Sequence, residues 1–188
     1  SFITVVLAPA LAALAKSTPG IAVYIIEDTA EGLSNRVFNG EADFGVTTLW
    51  RPIDDLEYRL LAKDQMGVLC PKDHPIAAKL ANPTWPDLAR YPMVALGQGA
   101  GMRAMLDNHP RIGTILPKPR YEVSTFSALL PVVESGAGIA AVSGITASRP
   151  LAEHLVFRPL GRPALLRQLA FIKRRGRSLT PAAKELTK

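Results

Sequence analysis

Apolar residues in the stretch 3–16 recur at helical spacing, with Ile3, Val6, Leu7, Leu11, Leu14 and Ala15 sharing one face. The pattern predicts a helix that stops at Ser17-Thr18-Pro19-Gly20, four residues that favour turns. The run IAVYII (21–26) is rich in β-branched and aromatic side chains and predicts a strand. A second helix is predicted from Glu31 to Phe38, closed by Gly40 as its C-terminal cap. ADFGVTTLW (42–50) predicts another strand. Helix, strand, helix, strand is an order whose connections build a parallel sheet.

Two strands are predicted next, at 57–63 and 65–70, and then an irregular connection over 71–92 that contains five prolines. Alternation resumes with a strand at 93–96, a helix at 101–109 and a strand at 120–124. A helix from Phe126 to Glu134 and a strand at 138–143 complete a second α/β unit. The tail predicts strands at 155–160 and 166–174 and a last helix at 180–188, with Thr180 as N-cap and Pro181 in the first helical position. Gly136 and Gly138 flank Ala137 where a helix must hand over quickly to a strand, a place that favours positive φ. There is no internal repeat and no low-complexity tract.

Composition narrows the class without naming a function. With 188 residues, 48% hydrophobic and 20% charged, the chain can bury a core of useful size. No apolar run reaches the roughly 18 residues of a membrane span. The opening SFITVVLAPALAALA lacks a basic leader and runs on into Lys16 and Pro19, so it reads as a buried amphipathic helix rather than an export signal. Cys70 is the sole cysteine, which excludes an internal disulfide and a cysteine-rich metal cluster. It reads as a packed thiol, and the expected compartment is the cytoplasm. The net charge of +6 is spread widely, with one cluster at Lys173, Arg174, Arg175 and Arg177. That cluster falls where a strand ends and a turn begins, and no nucleic-acid-binding motif accompanies it, so a solvated turn is the simpler reading.

Catalytic signatures are lacking. His74, His109 and His154 have no neighbouring Ser, Cys or Asp pattern resembling a triad, and there is no HExxH. His74 reads as a loop brace. Gln98-Gly99-Ala100-Gly101 is Gly-rich but lacks the Lys and Ser/Thr of a phosphate-binding P-loop, and reads as a flexible loop. Arg103 falls in the first turn of its helix, where a cation is disfavoured, so it calls for a carboxylate partner, either a ligand or a neighbouring side chain. No metal, cofactor or catalytic residue is expected.

Five segments, in order, resemble the effector-binding domain of LysR-type transcription regulators. They are the first helix with STPGIAVYIIE, VFNGEADFGV (37–46), VLCPKDHPIA (68–77), SALLPVVESGAGIAAVS (127–143) and RRGRSLTPAAKEL (174–186). The resemblance covers nearly the whole chain. It implies an α/β fold of two Rossmann-like lobes joined by a double-strand crossover hinge, like the type II periplasmic binding proteins. Lobe I would comprise 1–69 plus 167–188, and lobe II 70–166. The family's domain opens with a strand ahead of the first helix, and this chain starts at Ser1 in what resembles the following turn; residues upstream are therefore expected. The family's N-terminal winged helix-turn-helix is absent from this fragment.

The resemblance also implies a small organic effector, anionic in character, bound in the cleft between lobes. Lobe I would contribute Ser1, Phe2, Thr29, Thr47 and Thr48; lobe II would contribute Gln98, Gly99, Ala100, Gly101, Met102, Thr125, Phe126 and Ser143. Their hydroxyl and amide groups beside backbone N–H groups suit a carboxylate, and Phe2 and Phe126 suit an apolar ligand body. Ser1, Thr29 and Thr125 also read as ordinary N-caps, and Phe126 as a core residue. A homodimer through the first helix and the strand of lobe I is implied, with a tetramer in the full-length regulator and DNA contact only through the missing domain. A solute-binding protein of a transporter shares the architecture and is the alternative function.

Overall fold

The structure is a computed structural model that describes residues 2–49, 52–78, 82–98, 101–147 and 153–187. The chain divides into two compact units, 1–63 with 168–188 (unit 1) and 64–167 (unit 2).

In unit 1 the first helix opens as a π-helical turn, Ile3–Leu7, and continues as α1, Ala8–Ser17. The N–H of Ala8 reaches back to the carbonyl of Ile3. Pro9, the next residue, has no N–H to give an α-type bond, which is a local reason for the wider turn. Residues 21–26 form neither helix nor strand, against the strand expected there. Tyr24 is 91% exposed, and Val23, Ile25 and Ile26 are also exposed. β-branched side chains favour extended backbone, yet a strand also needs a neighbour to pair with, and no pairing of this run occurs among the described residues.

Helix α2 (Ala30–Asn39) ends at Gly40, whose φ of 80° is the left-handed conformation expected of a C-terminal glycine. It packs on strand β1 (Gly45–Thr48), where a side chain in place of Gly45 would meet Leu33. β1 pairs antiparallel with β7 (Leu166–Arg174), Gly45 opposite Ile172 and Thr48 opposite Leu169, so the parallel pairing expected for this part of the chain is not what forms. Val37, Leu56 and Ile172 make a small buried cluster beneath α2. Helix α8 (Pro181–Leu186) closes the unit, with the Thr180 hydroxyl accepting the N–H of Ala183 at 3.2 Å.

The two strands expected at 57–63 and 65–70 are one, β2 (Leu56–Pro71), which carries the chain from unit 1 into unit 2. Within unit 2, β2 pairs antiparallel with β5 (Ala140–Ser143) and with β6 (Leu155–Pro159). Gly67 permits the β6 pairing, because a Cβ there would overlap the Phe157 ring. After the short helix α3 (Trp85–Leu88), strands β3 (Val94–Leu96) and β4 (Tyr121–Val123) pair parallel, joined through α4 (Gly101–Asp107) and α5 (Ile112–Ile115). Helix α6 (Phe126–Glu134) leads into β5 and a short α7 (Gly144–Ala147).

The core of unit 2 gathers Leu69, Val94, Leu129, Val133, Val142 and Leu155, with α6 laid over the strands. Gly136 takes the positive φ expected of it, 76°. Gly138 does not; it is required instead because a Cβ would lie 2.6 Å from the carbonyl oxygen of Pro92, which receives the Ile139 N–H at 2.9 Å.

Candidate functional site

In unit 1, Thr29 is exposed at the start of α2, and its hydroxyl accepts the N–H of Gly32 at 3.0 Å. Asp28 beside it accepts the Thr29 N–H at 2.7 Å and the Arg36 Nε–H at 2.8 Å. The Arg36 hydrogen bond, seconded by the Thr29 N–H, holds the Asp28 carboxyl below the usual carboxylate range. Phe2 is half-buried and lines a cavity of about 310 Å³ with Leu7, Ile26, Leu33, Gly45 and Ala183. Thr47 and Thr48 are buried in β1. Ser1 lies outside the described residues.

In unit 2, Thr125 is exposed at the start of α6 and accepts the N–H of Ala128 at 3.2 Å. Its hydroxyl lies 3.0 Å from that of Ser127, also exposed, a neighbour that the sequence reading missed. Phe126 is half-buried and packs against the unit's core. Gln98 is exposed in the turn after β3, Gly101 begins α4, and Gly99 and Ala100 lie outside the described residues. Met102 faces inward and lines a second cavity of about 180 Å³ with Leu96, Leu106 and Pro117. Ser143 is fully buried at the end of β5, its hydroxyl 2.9 Å from that of Thr146.

Each capping threonine accepts one backbone N–H; Thr29 keeps its hydroxyl proton to donate, and of the hydrogen-bonded Thr125 and Ser127 pair one hydroxyl proton is left to donate. Set at a helix start, where the backbone carries partial positive charge, such hydroxyls suit a carboxylate or phosphate-like oxygen. Arg103 has its carboxylates within the protein: Nε to Asp107 at 2.6 Å and Nη1 to Glu122 at 3.5 Å, with the Leu96 carbonyl at 3.2 Å. A ligand is not needed to balance it.

Other titratable groups have structural explanations. The His74 Nδ1 accepts the Ile76 N–H at 3.2 Å while its ring meets Tyr91 edge-on, 4.5 Å between centroids. Burial pushes its pKa below the ordinary histidine value, and an Nδ1 that accepts must be unprotonated, so the two agree on a neutral loop brace. Burial pushes the Cys70 thiol up to about 11. Lys173, in the basic cluster, is paired with Glu57 at 2.6 Å, and Arg175 Nε donates to the Asp54 carbonyl at 2.7 Å.

Asp64 and Arg167 escaped the sequence reading. They form a buried ion pair, Nη2 to Oδ2 at 2.8 Å, with side chains 3% and 10% exposed. The available signal was Asp64 next to Lys63, adjacent charges between the apolar segments LLA and MGVLC. Among the described residues there is no cluster of three His, Cys, Asp or Glu able to hold a metal ion, and no helix long and apolar enough to cross a membrane.

The uncharacterized HTH-type transcriptional regulator YbhD of Escherichia coli (strain K12) is 28% identical over 170 residues, which is 88% of this chain and 52% of YbhD. The chain thus spans about half the length of the relatives it matches. Among solved structures, the regulatory domain of Synechocystis PCC6803 CcmR in complex with 2-PG superposes with a TM-score of 0.85 at 21% identity, covering 98% of this chain and 89% of that one. The effector binding domain of QuiR in complex with shikimate superposes with a TM-score of 0.79 at 17% identity, covering 97% and 87%. The fold is that of these domains, the type II periplasmic-binding-protein-like arrangement of α/β units. The LysR substrate binding domain family matches residues 1–188 in full, and this chain belongs to that family.

Proposed function

We propose that this chain is the effector-sensing part of a LysR-type transcription regulator, that it takes a small organic anion, and that it works by binding and not by catalysis. The observation that carries the reading is the start of α6, a nine-residue helix where Thr125 and Ser127 stand exposed with hydroxyls 3.0 Å apart. Thr29 at the start of α2 offers a single hydroxyl in unit 1, beside the Asp28–Arg36 ion pair. YbhD is a transcriptional regulator, the CcmR domain was captured with 2-PG and the QuiR domain with shikimate; all favour a regulator over the solute-binding protein of a transporter.

In this reading the candidate effector contacts are Ser1, Phe2, Thr29, Thr47 and Thr48 in unit 1 and, taken separately, residues 98–102, Thr125, Phe126 and the turn that follows β5 at Ser143 in unit 2. Its binding shifts an equilibrium between two states of the regulator by its differential affinity for them. DNA is reached through an N-terminal winged helix-turn-helix in the full-length cytoplasmic protein. Self-association runs through the first helix and the 21–26 segment as a homodimer, and a tetramer in the whole regulator.

The test is a thermal-shift and calorimetric titration with 2-PG, shikimate and a panel of small aliphatic and aromatic carboxylates. Saturable stabilisation is expected, because a ligand selective for the folded state raises its stability. Thr125→Ala should weaken binding about tenfold, the loss of one charge-assisted hydrogen bond. Thr180→Ala, which removes a cap that has no ligand role, should leave it unchanged. Equal weakening in both variants, or no saturable binding across the panel, would overturn the reading.

A further inference from the structure

The interior of unit 2 is apolar except in one place. Its buried polar side chains, among the described residues, are Asp64, Ser143, Thr146 and Arg167. They form one connected cluster at the end of β5. Ser143 is bonded to Thr146 and sits opposite Met66 of β2 in the ladder. The N–H of Ile145, between the two hydroxyl residues, donates to Asp64 Oδ1 at 2.9 Å. The other oxygen, Oδ2, accepts from Arg167 Nη2 at 2.8 Å. Gly144 keeps the turn close, since a Cβ there would lie 3.2 Å from Oδ1.

Asp64 therefore ties three pieces of backbone together: its own strand β2, the strand β7 through Arg167, and the β5–α7 turn through Ile145. Asp64 and Arg167 are also the first and last residues of unit 2. The pair stands where the chain enters and leaves.

Stability alone is a poor reason for this arrangement. A buried ion pair loses its hydration, and well-packed apolar residues in its place are often as stable or more so. The Nε–H of Arg167 is buried without an acceptor, a further cost left standing. Each oxygen of Asp64 already accepts one hydrogen bond, Oδ1 from the turn at Ile145 and Oδ2 from Arg167, so the turn and the guanidinium are held by one carboxylate. Movement of the turn and rearrangement of the pair are thereby linked.

We propose that Asp64 and Arg167 are a positioning pair that carries occupancy of the effector site at the β5–α7 turn to the strands β2 and β7 where they leave unit 2. The proposal rests on the effector reading above for what moves the turn. The pair touches no ligand. Its work is to make a displacement at Ile145 felt at residues 64 and 167.

The test has a ligand-free arm and a ligand arm, both read by amide hydrogen exchange. Without ligand, Thr146→Val removes the hydroxyl pair at the turn. Exchange at residues 166–168 should then change about tenfold, the scale of coupling within one hydrogen-bond network. In a background carrying Asp64→Leu and Arg167→Met, which replaces the pair with apolar side chains and guards against a lone buried charge, the same substitution should change it less than about twofold. With 2-PG or shikimate at saturation, the wild type should show altered exchange at residues 64–66 and 166–168. The paired variant should bind the same probe with similar affinity but lose that remote change.

Equal responses in the two backgrounds would overturn the pair as a relay, whatever the ligand does. A relay that works in the ligand-free arm while no probe binds would remove the effector reading and leave the mechanical coupling standing. A paired variant that loses affinity in proportion to the remote change would make the pair part of binding and overturn its positioning role.

Discussion

In unit 2 the apolar residues of β2, β3, β5 and α6 meet in one cluster, and strand-forming side chains such as Val94 and Val142 are buried. In unit 1 the run 21–26 has equally strand-forming side chains, yet they stand exposed on backbone that makes neither helix nor strand. Both runs are short and largely apolar. The difference lies in what is available to pair with: β3 has β4 alongside and a bridge from Met93 to Ile139, whereas 21–26 has no strand among the described residues. Side-chain preference alone does not make a strand, because backbone N–H and C=O groups need partners.

Four measurements sharpen or break this contrast. Leu129→Ala, in the covered core of unit 2, should have the largest effect, a loss of about 2–5 kcal/mol in urea unfolding. A loss below about 1 kcal/mol would mean the cluster is not a close-packed core. The caps come next: Thr29→Ala in unit 1 and Thr125→Ala in unit 2 should each cost about 0.5–2 kcal/mol in the absence of ligand. If only one of them does, the two helix starts are not equivalent.

His74 gives a smaller effect with a defined sign. Its folded pKa is lowered from the ordinary 6.5, so the unfolded chain binds the extra proton first. The contribution is complete above pH 6.5 and is lost as the pH falls from there through the folded value. His74→Gln should flatten that slope in melts taken across this window; an unchanged slope would assign it to other groups. The smallest change in stability is expected for Tyr24→Ser, within about 0.5 kcal/mol, as for surface positions generally. The same substitution should reduce concentration-dependent association in sedimentation, and a large fall in stability would show that the run is structurally engaged.

What was legible in the sequence was what is local. Helix α6 was read at Phe126–Glu134 and β7 at 166–174, their observed bounds, because caps, periodicity and turn residues act within a few positions. The capping roles of Thr29, Thr125 and Thr180 were legible for the same reason. Asp64 was not. A charge at that position reads as a break between two strands, and only Arg167, 103 residues away along the chain, makes it a buried member of a continuous β2. Gly138 teaches the same lesson, since its constraint comes from Pro92 and not from its own φ. Ser143 was placed correctly at a strand end, but its hydroxyl is spent on Thr146, three residues on.

Cys70, fully buried within β2 and with its thiol pushed up to about 11, makes the molecule its own clock. A thiol reagent reacts with the thiolate, and near neutral pH this sulfur offers almost none while it stays packed. Labelling must wait for the strand to open, so the rate of modification by the reagent reports openings of unit 2 with no residue changed.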